Sequence, residues 1–120
     1  MIVLDASAVL AYLAGEPGAD AVESALRDGA RCSAANWSET MQKVLASGRD
    51  WSLAAALLVS HDLVVEPVTR ADAEAAASLW RRREGLSLGD RLCLALGARL
   101  EATVMTADRA WSGKNVRFIR

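Results

Sequence analysis

Ile2-Val3-Leu4-Asp5-Ala6-Ser7-Ala8 decides the fold. Three apolar residues of strand type stop at an acid, and helix formers follow from Ala6 to Ala14, where Gly15 closes the run. A strand that passes directly into a helix opens a βα unit. The rest of the chain repeats that alternation. Pro17 suits the first turn of a second helix running to about Asp28, with Gly29 as its stop. Arg31-Cys32-Ser33 is a short strand. Asn36 is expected to cap a helix that ends at Gly48 and presents Trp37, Met41, Val44 and Leu45 on one face. Trp51–Ser60 is a further helix, and Leu63-Val64-Val65 a strand.

A helix opens at Thr69 or Arg70 and is expected to run to about Arg83. Ser87 caps another, with Leu88, Leu92, Leu96 and Leu100 at every fourth position. Thr103-Val104-Met105 is a strand, Asp108–Trp111 a helical turn, and Val116–Ile119 a last strand. Strands alternating with helices over short connections predict an α/β fold, a three-layer α/β/α sandwich with a central, mostly parallel sheet. The 120 residues fill one domain, 1–120, with no room for a second.

Composition narrows the chemistry. The net charge is −1, so no global positive field marks the chain as a polyanion binder, although its basic residues are 12 Arg against 2 Lys. Arginine forks phosphate oxygens bidentately, but Ala, Arg and Gly also rise together through coding bias. One histidine, His61, and two distant cysteines, Cys32 and Cys93, exclude Cys₄ and Cys₂His₂ zinc sites. Both cysteines sit among small or apolar residues as reduced core thiols, which points to the cytoplasm. The longest fully apolar run, Leu53–Val59, falls far short of the ~20 residues of a membrane span. Asp5 inside the first apolar stretch, with no basic residues before it, argues against a signal peptide.

Ligands of open parallel sheets bind beyond the carboxyl ends of the strands. Asp5 and Ser7 follow the first strand, and Thr106 and Asp108 follow the 103–105 strand. Glu39 lies in the first turn of the Asn36 helix and Asp90 in the first turn of the Ser87 helix. Each acid alone is well explained as a helix-terminal cap. Four converging on one edge would repel one another, and a bound cation relieves that repulsion. Oxygen-only ligation suits Mg²⁺ or Mn²⁺.

Four segments carry a resemblance: Ile2–Ala8, Asn36-Trp37-Ser38-Glu39, Leu86–Ala95 with Ser87-Leu88-Gly89-Asp90, and Val104–Trp111 with Thr106-Ala107-Asp108. In this order and at these intervals the chain resembles PIN-domain ribonucleases, in particular VapC-type toxins of bacterial toxin–antitoxin pairs. The resemblance implies a catalytic quartet of Asp5, Glu39, Asp90 and Asp108, with Asp5, Asp90 and Asp108 as the main metal ligands. Ser7, Asn36 and Thr106 match supporting polar positions. It also implies metal-assisted RNA hydrolysis leaving a 5′-phosphate and a 3′-hydroxyl, an antitoxin partner and a homodimer. Trp37-Ser38-Glu39-Thr40 departs mildly from the usual pattern but keeps the acid.

Arg91 and Arg109, beside two of the acids, are candidates for the RNA backbone or for pairing with a carboxylate. Arg81-Arg82-Arg83 reads first as a charge run that complements the dipole at a helix end, with contact to phosphate as the alternative. His61 reads as a turn residue ahead of a general base, and the four tryptophans as packing or interface residues ahead of base-stacking ones. The alternative function is a catalytically idle RNA-binding or scaffold module on the same fold. A dehalogenase-like phosphatase would need D-x-D after the first strand, where this chain has Asp5-Ala6-Ser7.

Overall fold

Strand β1 (Ile2–Leu4) pairs in parallel with β2 (Ala30–Ser33) on one side and β4 (Thr103–Thr106) on the other. The computed structural model describes residues 1–120. β3 (Val64–Glu66) and β5 (Val116–Phe118) complete a five-stranded sheet in the order β3-β2-β1-β4-β5, with every pairing parallel. Because side chains alternate across a strand, Val3 and Leu4 enter opposite layers, and both are fully buried. A parallel sheet needs cover on both faces, which explains the apolar run at residues 2–4.

Leu4, Cys32 and Met105 pack with α1 (Ala6–Ala14), α2 (Ala19–Arg27) and Leu58 of α4 (Trp51–Ser60). On the other face Val3 and Val104 meet Cys93 and Leu96 of α6 (Leu88–Arg99). Gly97 permits the close approach there, since a Cβ at that position would collide with Val104. Helix α5 (Arg70–Ser78) lies outside α6, and α3 (Ala34–Ala46) packs on both α1 and α6. Cys32 and Cys93 are buried free thiols. No helix is long and apolar enough to cross a membrane.

Several boundaries differ from expectation for local reasons. Ser33, not Asn36, caps α3 by accepting a bond from the Ala35 amide, so Asn36 lies within the first turn and faces inward. The buried stripe of α3 is therefore Asn36, Thr40 and Val44, while Met41 and Leu45 are exposed. Helix α2 begins at Ala19, with Pro17 before its Gly18 cap. Helix α5 stops at Ser78, not Arg83. The following Arg81–Glu84 offers nothing apolar to bury, and Arg81 donates to the carbonyls of Ser78 and Trp80. Residues 108–111 form a turn without helix.

The outer helix α5 buries only Asp72 and Ala76. Asp72 closes a capping box with Thr69 and accepts two bonds from the Arg99 guanidinium on α6, at 2.8 and 3.1 Å. Burial works to raise the Asp72 carboxyl, but the bonds from Arg99 and Thr69 outweigh it and hold the group below the usual carboxylate range. A depressed folded pKa contributes stability that is present above the unfolded value and lost as pH falls through the folded one. Asp72→Asn is therefore expected to lower the melting temperature at neutral pH. The gap to wild type should close only in strong acid, and thermal unfolding across an acid pH series measures it.

Candidate active site

The chain runs from β1 outward through β2 to β3, then returns to place β4 and β5 on the other side of β1. The carboxyl ends of β1 and β4 thus flank the point where the winding reverses, the usual ligand crevice of such sheets. Asp5 stands there, only 4% exposed. Its Oδ1 accepts from the Ala8 amide at 2.8 Å, capping α1, and its Oδ2 accepts from Thr106 Oγ1 at 2.6 Å. The Ser7 hydroxyl lies 2.7 and 2.9 Å from the two carboxylate oxygens. Ser7 Oγ in turn accepts from the Ala107 amide, and Thr106 Oγ1 from the Asp108 amide. Two hydroxyls therefore tie the end of β1 to the end of β4 through one carboxylate. Burial pushes the Asp5 carboxyl up, the bonds from Thr106, Ala8 and Ser7 offset part of that, and the negative charge of Asp90 adds to the rise.

Glu39 reaches the same edge from the second turn of α3, not the first, because the Ser33 cap starts the helix earlier than expected. Asn36, 2% exposed, donates through Nδ2 to Glu39 Oε1 at 2.7 Å and to the Gly89 carbonyl at 3.2 Å. This pair of bonds fixes the Glu39 carboxylate and joins α3 to the first turn of α6. Asp90 forms a capping box with Ser87: the Ser87 amide donates to its Oδ2 at 3.0 Å, and Ser87 Oγ accepts from the Asp90 amide at 3.1 Å. The thiol of Cys93, one turn further along α6, feels all three acids. Burial is the main cause of its strongly raised pKa, with Asp5, Cys32, Asp90 and Glu39 adding to it.

Asp108 stands differently. It is exposed, and its Oδ1 accepts from the Ala110 amide in its own turn. No three acidic, cysteine or histidine side chains close around a point that would enclose an ion. The topology brings the acids to one edge; Asp5 and Asp90 cap α1 and α6 as the helix-terminal explanation anticipated, whereas Asp108 is held in a turn without helix and Glu39 caps nothing. Of the two candidate arginines, Arg91 donates to the Ala76 carbonyl of α5, and Arg109 donates to the Arg120 carbonyl and lies over the Phe118 ring. Neither pairs with a carboxylate. His61, at the end of α4, meets the Tyr12 hydroxyl at 3.0 Å. That places it before β3, at the edge of the sheet opposite the acids.

Gly89 also shapes the site, a role that only the contact between α3 and α6 reveals. A Cβ at this position would overlap the Glu39 carboxylate and stand 2.8 Å from its Cδ. In the sequence it shows only as a glycine in the first turn of a helix, where nearly any other residue is more favourable.

The sequence matches the PIN domain family over residues 2–115. Comparison with curated proteins gives no match. Among solved structures, a chain of a toxin–antitoxin complex from Klebsiella pneumoniae superposes with a TM-score of 0.80 at 19% identity, covering 100% of this chain and 98% of that one. VapC20 of Mycobacterium tuberculosis, a toxin that cleaves the sarcin–ricin loop, superposes with a TM-score of 0.69 at 21% identity, covering 96% and 92%.

Gly89→Ala is expected to leave the fold intact and even firmer, since Ala exceeds Gly by about 1 kcal/mol within a helix. The Glu39 carboxylate, at the end of a flexible side chain, is what gives way. A crystal structure of the variant should show Glu39 turned off Asn36 Nδ2, with a melting temperature at or above wild type.

Proposed function

The chain belongs to the PIN domain family, and on that premise we propose that residues 1–120 form one domain acting as a divalent-metal-dependent endoribonuclease, the toxin of a toxin–antitoxin pair. The observation that carries this reading is Asp5, buried at the reversal point of the sheet with the charge of Asp90 acting on it and Glu39 on the same edge. The donor set fits a hard cation. It is all oxygen, the one histidine lies at the opposite edge, and a carboxylate destabilised by burial and by a like charge gains from a cation nearby.

Asp5, Asp90 and Asp108 would hold the ion, with Asp108 giving up its bond to the Ala110 amide. Mg²⁺ or Mn²⁺ bound there supplies an acidified water and neutralises charge developing on the phosphate. The protein's own part is orientation. Ser7 and Thr106 set the plane of the Asp5 carboxylate, Asn36 aims Glu39, and the Ser87 amide turns Asp90 so that Oδ1 stays unengaged. The idle RNA-binding reading draws on one observation, the lack of three converged carboxylates, and the same assay separates the two.

The likeness to a toxin–antitoxin complex supports an antitoxin partner. We assign self-association to the face where α3 and α4 leave Met41, Leu45, Leu53 and Leu57 exposed, with Trp37 and Trp51 packed edge to face at 4.9 Å. So much apolar surface marks an interaction site. Sedimentation of the purified chain at ~10 μM is expected to give a dimer, and a monomer at that concentration would contradict the assignment.

Asp90→Asn keeps an oxygen for the Ser87 amide and loses the charge a metal needs. RNA cleavage in Mg²⁺ or Mn²⁺ is expected to fall about 100-fold or more, with stability within about 1 kcal/mol of wild type. Cleavage gels alongside thermal melts test this. A wild-type rate in the variant removes Asp90 from the mechanism, and no cleavage by wild type in either metal favours the idle module.

A further inference from the structure

The segment joining α5 to α6 leads directly into Ser87 and Asp90. Arg91 in the first turns of α6 bonds the Ala76 carbonyl near the end of α5, so both ends of the segment lie beside the helix start that carries Asp90. The segment is also where the chain exposes its largest aromatic side chain, Trp80 at 55%, preceded by Leu79 and followed by Arg81, Arg82 and Arg83. Arg81 is committed to the end of α5 through the Ser78 and Trp80 carbonyls. Arg82 and Arg83 are exposed and make neither a hydrogen bond nor an ion pair, despite Glu84 beside them. Arg83 adopts a left-handed φ of 69°, unusual for a residue with a side chain, and Gly85 follows at 71°. The backbone thus leaves α5 and turns through Arg81–Glu84 as an exposed strap.

An acidic edge repels a polyanion, so an RNA strand held beside Asp5, Glu39 and Asp90 needs positive charge near them that is not already paired. Arg91 and Arg109 do not provide it, because both point to backbone carbonyls. Arg82 and Arg83 do. We infer that residues Trp80–Arg83 form the element that holds single-stranded RNA next to the acidic edge. Arg82 and Arg83 grip phosphates flanking the cleaved one, and Trp80 stacks on a base. Guanidinium forks match phosphate oxygens, and an exposed indole accepts any base face. The pattern of two free guanidiniums beside an exposed ring fits a phosphate–base polymer better than an acidic protein surface. This inference rests on the nuclease reading for its ligand, though its test does not require cleavage.

The test is fluorescence anisotropy of a short labelled single-stranded RNA with the full chain in EDTA, over a salt series. With Arg82→Ala and Arg83→Ala combined, the slope of log Kd against log salt should fall by about 1.4, as expected for two lost contacts to single-stranded phosphates. The paired lysine substitutions should restore most of the slope. Trp80→Ala should weaken binding about tenfold with the slope unchanged. Melting temperatures of the variants verify folding, and all the substituted side chains are exposed. Unaltered affinity and slope in the variants overturn the inference. If wild type still cleaves RNA in Mg²⁺ in that case, the nuclease reading survives it. Slope and affinity changes as expected, with no cleavage by wild type, uphold the RNA-holding strap and remove the nuclease. Unaltered RNA binding together with loss of the antitoxin complex makes the strap a protein contact and likewise overturns the inference.

Discussion

The buried carboxylate of Asp5 is the constraint on which the edge of the sheet is organised. A carboxylate at 4% exposure is costly unless its oxygens are hydrogen-bonded, and every partner available comes from a different structural task. The Ala8 amide is a free donor at the start of α1, Ser7 lies in the first turn of that helix, and Thr106 closes β4. Meeting the needs of one side chain thus locks β1, α1 and β4 together at the reversal of the winding. The Asp5 amide reinforces this by donating to the Met105 carbonyl. The arrangement leaves Asp5 raised in pKa by burial and by Asp90, a state that a cation would relieve.

The sequence disclosed what depends on neighbours along the chain. Short runs bounded by turn residues marked all five strands, apolar in β1, β3 and β4 but not in Arg31-Cys32-Ser33, the reach of α1 to Gly15 followed from a glycine that takes a left-handed φ of 65° comfortably, and Ser87 was legible as the cap of α6. What stayed hidden depends on contacts between distant segments. Trp37, Met41, Val44 and Leu45 look like the core face of α3, and Val44 is buried and Trp37 half-buried against the core, yet Asn36 and Thr40 are buried beside them because α3 must meet the polar edge of α6, where Asn36 bonds Glu39 and the Gly89 carbonyl. Only Met41 and Leu45 are left outward. Helix α5 was overextended because Trp80 and the arginines after it are acceptable helix formers, and only the lack of anything to pack against ends it at Ser78.

The site shows the same division. Strand order alone brought Asp5 and Thr106 side by side, the start of α6 brought Asp90 to the same edge, and the second turn of α3 brought Glu39. The precise aim of each carboxylate is set by local donors that a sequence does not order. Asp90 and Asp108 bond to amides of their own turns, and like charges give them no reason to converge by themselves. Cap and ligand are therefore two uses of the same side chains. Asp5 is the exception, since its position is fixed by both strands whatever it binds.

That distinction makes Asp5 the place to test whether the edge is a cation site. The measurement is the melting temperature of wild type and of Asp5→Asn over a Mn²⁺ titration. A cation bound only by the folded state stabilises it by about 2.7 kcal/mol at 100 times its Kd. Wild type should therefore melt progressively higher with added Mn²⁺, and Asp5→Asn should show little response. Equal shifts in both proteins, or none in wild type, would contradict the account.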